Sequence, residues 1–237
     1  MEGNHAFHLT SLLRCAKREI ETPEYVLERG KRLHEHLEET WIPARYARRL
    51  VENRFYTVLS GVEVCYTPDV LAFHADGSED AVVELKTGSG AQITLVNALV
   101  QTLCYASLLR EYGYNFPKVR VHLFNWKGRH VRTIELEVTT LQHYMLTNAP
   151  PCDDDDDNDN NNNDIYNNIL DAIREWLEER ARTYTRRGPV TWLECRYCRR
   201  WASACKLRRA AKTCQFPVSV AFLHAYAFSA GRPVTLV

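Results

Sequence analysis

The segment that most limits what this chain can become runs from Val62 to Lys86, VEVCYTPDVLAFHADGSEDAVVELK. It is rich in β-branched and aromatic residues, and the A-D-G-S at its centre is hairpin-turn chemistry, so it reads as strands folded back on one another. Its last strand, AVVELKTG (81–88), ends oddly. Apolar residues lead into Glu84 and Lys86, and these two point to one face because strand residues two apart do. Pro68-Asp69 opens the preceding strand, so the hairpin makes Asp69 a neighbour of Glu84. Alone, Glu-x-Lys is an ordinary ion pair at a strand end. Beside a second carboxylate it gains a chemical meaning. Hard cations such as Mg²⁺ or Mn²⁺ take one or two carboxylates plus waters and a substrate phosphate. Such an ion acidifies a bound water and neutralises charge developing on phosphate. A nearby ammonium holds the water and stabilises the anionic transition state. Two acids and a lysine are therefore suited to phosphodiester hydrolysis.

The rest of the chain frames this hairpin in an α/β pattern. Residues 6–50 read as helical, with apolar positions at helical spacing in FHLTSLLRCAKREI and EYVLERGKRLHEHLEETW. RFYTVLS alternates like a strand. AQITLVNALVQTLCYASLLREYG reads as a long amphipathic helix ending at Gly113. KVRVHLFNW and VRTIELEVT make a second hairpin about KGRH, and LQHYMLT a short helix. The run 148–164, with its prolines and its Asp/Asn tract, cannot bury a core and reads as a loop. A helix resumes at IYNNILDAIREWLEERARTY, and FPVSVAFLHAYAFSAGRPVTLV packs back on the core. Four regions result: a helical N-terminal arm (1–52), a core (53–147), the Asp/Asn loop (148–164) and a helical, cysteine-bearing C-terminal region (165–237).

The net charge of zero conceals a separation. Seven aspartates lie between Asp153 and Asp164, and 30 basic residues less the 23 remaining acids leave +7 elsewhere. Between Arg180 and Lys212, eleven Lys or Arg face one acid, Glu194. Arginine outnumbers lysine 23 to 7, which suits bidentate phosphate contacts. A solvated surface and a polyanion partner both fit this distribution. No leader pattern or membrane-length apolar run is seen, so a cytoplasmic protein without membrane contact is expected. In a reducing compartment the eight cysteines are not expected as disulfides.

Two further pairs bear on the hairpin. Gly30-x-x-x-His34 lies on a predicted helix, where a neutral imidazole could supply one more metal ligand. Gln101 and Tyr105 are four apart on an otherwise apolar helical face. Among the cysteines, Cys195, Cys198 and Cys205 form C-x2-C-x6-C, a spacing that points to a metal centre. Closure by Cys214 would give a zinc site, and closure by Cys15 an iron–sulfur cluster; the spacing alone leaves both open. Cys65 and Cys104 sit among apolar neighbours and read as small buried hydrophobes, while Cys152 reads as a free thiol.

The order G-x-x-x-H, P-D, E-x-K, Q-x-x-x-Y resembles the RecB-like branch of the PD-(D/E)XK nucleases, from Gly30 to Tyr105. With one early cysteine and a late C-x2-C…C, it is similar to the CRISPR-associated iron–sulfur exonucleases (the Cas family, member four) and their archaeal-virus relatives. Ala16 stands where that family often has proline. The resemblance implies a PD-(D/E)XK core, a mixed central sheet flanked by helices. It implies that His34, Asp69, Glu84 and the backbone carbonyl of Leu85 hold Mg²⁺ or Mn²⁺, that Lys86 positions the water, and that Gln101 and Tyr105 support the site. It implies a 4Fe–4S cluster on Cys15, Cys195, Cys198 and Cys205. Arg196, Arg199, Arg200 and Trp201 would then track single-stranded DNA, since aromatics stack bases and arginines follow phosphates; shielding of the cluster by Trp192 and Trp201 is the equal alternative. The implied activity is metal-dependent exonucleolytic cleavage of single-stranded DNA or single-stranded ends, often 5′ to 3′ and sometimes with endonuclease activity. The implied setting is CRISPR prespacer processing beside the integrase complex, with a homo-oligomer as one form. The alternatives are a viral or recombination and repair nuclease of the same chemistry, and a non-catalytic iron–sulfur DNA-binding protein.

Overall fold

In the computed structural model, the residues described are 6–13, 23–75, 77, 79–88, 92–141, 169–183 and 216–228. The hairpin expected from the sequence is present. Strand β5 (Val70–Phe73) pairs antiparallel with β6 (Ala81–Thr87), Val70 opposite Val83 and Ala72 opposite Ala81. β6 also pairs in parallel with β7 (Lys118–Phe124), and β7 pairs antiparallel with β8 (His130–Glu137). The fifth strand of this mixed sheet is β2 (Arg48–Val51), antiparallel to β5, giving the order β2-β5-β6-β7-β8. A smaller sheet, β1-β4-β3, is built from β1 (Phe7–His8), β3 (Phe55–Leu59) and β4 (Val62–Tyr66). The chain is thus a mixed α/β fold with sheets flanked by helices.

The expectation that residues 6–50 are all helical is corrected at both ends. Helices α1 (Leu9–Leu12) and α2 (Glu24–Arg45) form, but Phe7–His8 and Arg48–Val51 are strands. β2 was masked by its charges: it lies at a sheet edge with one partner, where exposed arginines are tolerated. The turn after β2 carries Glu52, whose backbone N–H donates to the carbonyl of Asp69 at 3.1 Å.

Two apolar layers hold β6, one on each face, and alternate residues enter each. Val82 joins the larger core with Val119, Val121 and Leu123, and Ala81, Val83 and Leu85 join the smaller one with Leu37, Ile42 and Tyr46 of the α2 region. Helix α3 (Gln92–Leu109) crosses over the larger-core face between β6 and β7. It was expected to be amphipathic; instead its residues from Leu95 to Leu109 are buried except for half-buried Asn97 and Gln101. The outer face is covered by α4 (Ile169–Arg182) and α5 (Val220–Phe228), and a helix apolar nearly all round is what such a position requires. A short 3-10 turn at Arg110–Tyr112 follows, and Gly113 ends it at φ 80°, a left-handed conformation that favours glycine. Cys65 and Cys104 are buried free thiols within these layers, as expected. No helix among the described residues is long and apolar enough to cross a membrane.

Candidate active site

The strand register sets the site. β5 and β6 pair as far as Val70 and Val83, and one residue further on the strands part, leaving Asp69 and Glu84 at the mouth of the gap. Both carboxylates are buried, Glu84 at 2% exposure and Asp69 at 9%. Asp69 Oδ2 accepts the backbone N–H of Leu85 at 2.6 Å, so the first acid is tied to the strand that carries the second. The same oxygen lies 3.2 Å from Nε2 of His34, reaching in from α2. Gly30, one turn before His34, passes close to β6: a Cβ there would lie 3.7 Å from Thr87 Oγ1.

Glu84 is held through one oxygen only. Its Oε1 accepts Lys86 Nζ and, at 3.0 Å, Gln101 Nε2 from α3. Gln101 Nε2 also donates to the hydroxyl of Tyr105 at 2.7 Å. Tyr105 is buried and stacks on Tyr66 at 5.8 Å between ring centroids. Glu84 Oε2 is buried with no hydrogen-bond partner. An unsatisfied buried carboxylate oxygen costs free energy comparable to a lost charged hydrogen bond, so this atom calls for a positively polarised neighbour.

The electrostatics follow from burial and crowding. Burial, and then the negative charge of Asp69, push the Glu84 carboxyl up to about 7, against the pull of Lys86. For His34, burial disfavours the charged ring, but the hydrogen bond and charge of Asp69, joined by Glu38, raise it to about 9. Burial pushes the Tyr105 phenol up, so it stays protonated.

The structure therefore brings two hydrogen-bonded sets side by side, His34 with Asp69 and Lys86, Gln101 and Tyr105 around Glu84, joined where Asp69 accepts the N–H of Leu85. Leu85 joins it through its backbone N–H, while its side chain packs in the smaller core. Cys15, Cys152, Cys195, Cys198, Cys205 and Cys214, and Arg196, Arg199, Arg200 and Trp201, lie outside the described residues.

Three residues were missed by the sequence reading. Glu38 Oε1 lies 2.7 Å from His34 Nδ1, and Glu52 Oε1 lies 3.8 Å from the same atom. His34, Glu38 and Glu52 are the group among the described residues that could offer three metal-ligand atoms within 4.8 Å of one another. Glu38 was legible as the residue one turn after His34 on the same face; Glu52 comes from a turn that only the tertiary fold brings near. The third is Asn97. It is one turn before Gln101 on the same face of α3, and its Oδ1 is buried without a partner.

The donors present fit a hard divalent cation. They are carboxylate oxygens and an imidazole, and one buried carboxylate oxygen is unused. The fold itself is shared with a solved protein. The crystal structure of SSO0001 matches with a TM-score of 0.50 over 87% of this chain and 88% of that one, at 17% identity. No family model matches the sequence, and no curated protein does.

Proposed function

We propose that the chain is a metal-dependent DNA nuclease of the RecB-like PD-(D/E)XK type, hydrolysing phosphodiesters in single-stranded DNA or single-stranded ends. The observation that carries this reading is Glu84: buried beside a second carboxylate, one oxygen held by Lys86 and Gln101 and the other without a partner. A purely structural ion pair gains nothing from a second acid at its side, whereas a cation site needs it.

His34, Asp69, Glu84 and the carbonyl of Leu85 would hold Mg²⁺ or Mn²⁺. Bound there, the cation supplies an acidified water and neutralises charge on the scissile phosphate. The chain's own groups do the rest. The N–H of Leu85 fixes Asp69, and Gln101 fixes Glu84 with Tyr105 behind it. Lys86, half-buried at the cleft, donates to the attacking water or to a phosphate oxygen and stabilises the charge that builds there.

The cluster proposal is a 4Fe–4S centre on Cys15, Cys195, Cys198 and Cys205. One contact supports it. Arg180, buried on α4, donates Nε–H to the carbonyl of Leu12 at 2.8 Å. Leu12 stands three residues before Cys15, and Arg180 fifteen before Cys195, so the stretches leading to both cysteine sets start from one place. The setting we propose is CRISPR prespacer trimming, with single-stranded DNA and the integrase complex as partners; a viral or repair nuclease would carry the same motif order. The test is digestion of 5′- and 3′-labelled single-stranded DNA with and without Mn²⁺. Wild type should shorten the strand only with metal. Asp69→Ala or Lys86→Ala protein that degrades DNA as fast as wild type would sink the reading.

A further inference from the structure

His34 has two ring nitrogens and they face opposite groups. Nε2 is directed at Asp69 Oδ2, 3.2 Å away, and Nδ1 at Glu38 Oε1, 2.7 Å away. A neutral imidazole carries a proton on one nitrogen and a lone pair on the other, and only the second can bind a metal. Which one is free is set by the hydrogen bond the other makes.

We propose that Glu38 is a positioning residue for His34: its carboxylate accepts a hydrogen bond from Nδ1–H, keeps the proton on that nitrogen, fixes the ring, and leaves Nε2 as the metal-binding atom beside Asp69. The inference rests on the reading of His34 and Asp69 as metal ligands. Three observations single out Glu38. It stands four residues after His34 on α2, so one helix fixes both side chains. Its side chain is 19% exposed and the contact is of hydrogen-bond length. The rival carboxylate, Glu52, is 51% exposed, and at 3.8 Å it is too far to hold the proton. Glu52 acts instead through its backbone, whose N–H is tied to the carbonyl of Asp69. Its own φ of 47° makes that turn an uncommon one.

The test is titration of the full chain with Mn²⁺ alone, followed by calorimetry without DNA, so that binding is read apart from activity. Glu38→Ala should weaken Mn²⁺ by about 10–100-fold, the usual loss when a carboxylate partner of a ligating histidine is removed. Glu38→Gln keeps an oxygen that accepts the Nδ1 proton and should stay within about threefold of wild type, and Glu52→Gln should match wild type. No loss in Glu38→Ala overturns the proposal. So does an equal loss in Glu38→Gln and Glu52→Gln, which would make both carboxylates direct ligands. His34→Ala and Asp69→Ala are the controls. If these bind Mn²⁺ as wild type does, the underlying reading of the site fails; if they lose it while Glu38→Ala does not, only this inference fails. Should Glu38→Ala not fold, the wild type decides. With Mg²⁺ added, ¹⁵N spectra of labelled histidine should show His34 protonated at Nδ1 and not at Nε2, and a proton kept on Nε2 overturns the proposal.

Discussion

Replacing Glu84 by glutamine should abolish activity and stabilise the metal-free protein. Glu84 is 2% exposed, and burial together with Asp69 raises its carboxyl from 4.5 to about 7. A group whose folded value is raised contributes most at low pH, and its contribution is lost as pH climbs through the folded value. At ~1.4 kcal/mol per pH unit, ionised Glu84 costs the chelated protein about 3 kcal/mol above pH 7. For a chain of this size that is roughly 6–12 °C in melting temperature. His34 works in the same direction: its value, raised from 6.5 to about 9, gives stability that is full below 6.5 and is lost as pH passes about 9. Wild type melted in chelator should therefore lose stability steadily from pH 5 to pH 9. Glu84→Gln keeps an Oε1 for Lys86 and Gln101, so it should lose the fall between pH 5 and 7 and keep the one between 7 and 9. With Mn²⁺ added the ranking should invert, because only wild type gains the ion. The assay is thermal melting followed by circular dichroism. A wild-type melting temperature that is flat from pH 5 to 7, or a Glu84→Gln curve parallel to wild type, would refute the reasoning.

Four other outcomes follow from the same contacts. Lys86→Met should lower single-turnover cleavage by about 10²–10³-fold while leaving Mn²⁺ affinity nearly unchanged, since the amine serves the reaction more than the metal. Asn97→Leu should leave stability equal or raise it by about 1 kcal/mol by removing a buried acceptor with no partner, and kcat/KM on a labelled oligonucleotide should fall. Arg180→Ala should cost about 2–4 kcal/mol in urea melts, because it strips the Leu12 carbonyl of a charged donor inside the core. Anaerobically purified protein should be brown with stoichiometric iron, and Cys15→Ser should bleach it; a colourless protein carrying zinc would replace the cluster proposal.

The β5–β6 hairpin was readable because two strong rules coincide there. Strand periodicity puts Glu84 and Lys86 on one face, and turn chemistry between Phe73 and Ala81 brings Asp69 and Glu84 to the positions just beyond the last pair, Val70 with Val83. His34 and Gln101 were readable as helical residues, though not their reach of 3.2 and 3.0 Å to the two acids. What escaped depended on long-range pairing. β2 looks helical because an edge strand can carry arginines, and without β2 nothing places Glu52 next to Asp69. α3 looks amphipathic from its sequence because α4 and α5, which cover it, come from distant parts of the chain. Once that covering is known, Asn97 and Gln101 stand out as the half-buried polar positions on an otherwise buried stretch of α3.

Glu84 Oε2 and, one turn before Gln101 on α3, Asn97 Oδ1 are buried oxygens without a hydrogen-bond partner, and with Glu84 ionised both accept and cannot donate. A bare phosphate brought against them would add acceptors to acceptors and negative charge to two carboxylates. A cation with its waters would bring charge and O–H donors to Glu84. On the proposed reading, metal would enter before, or together with, the nucleic acid, since Lys86 is already paired with Glu84. The apolar strand below keeps the acids from moving apart. Ala81, Val82 and Val83 are fully buried, so the repulsion between Asp69 and Glu84 cannot relax by backbone movement without opening both cores. It is held in place, and on the proposed reading it would become affinity for the cation that removes it.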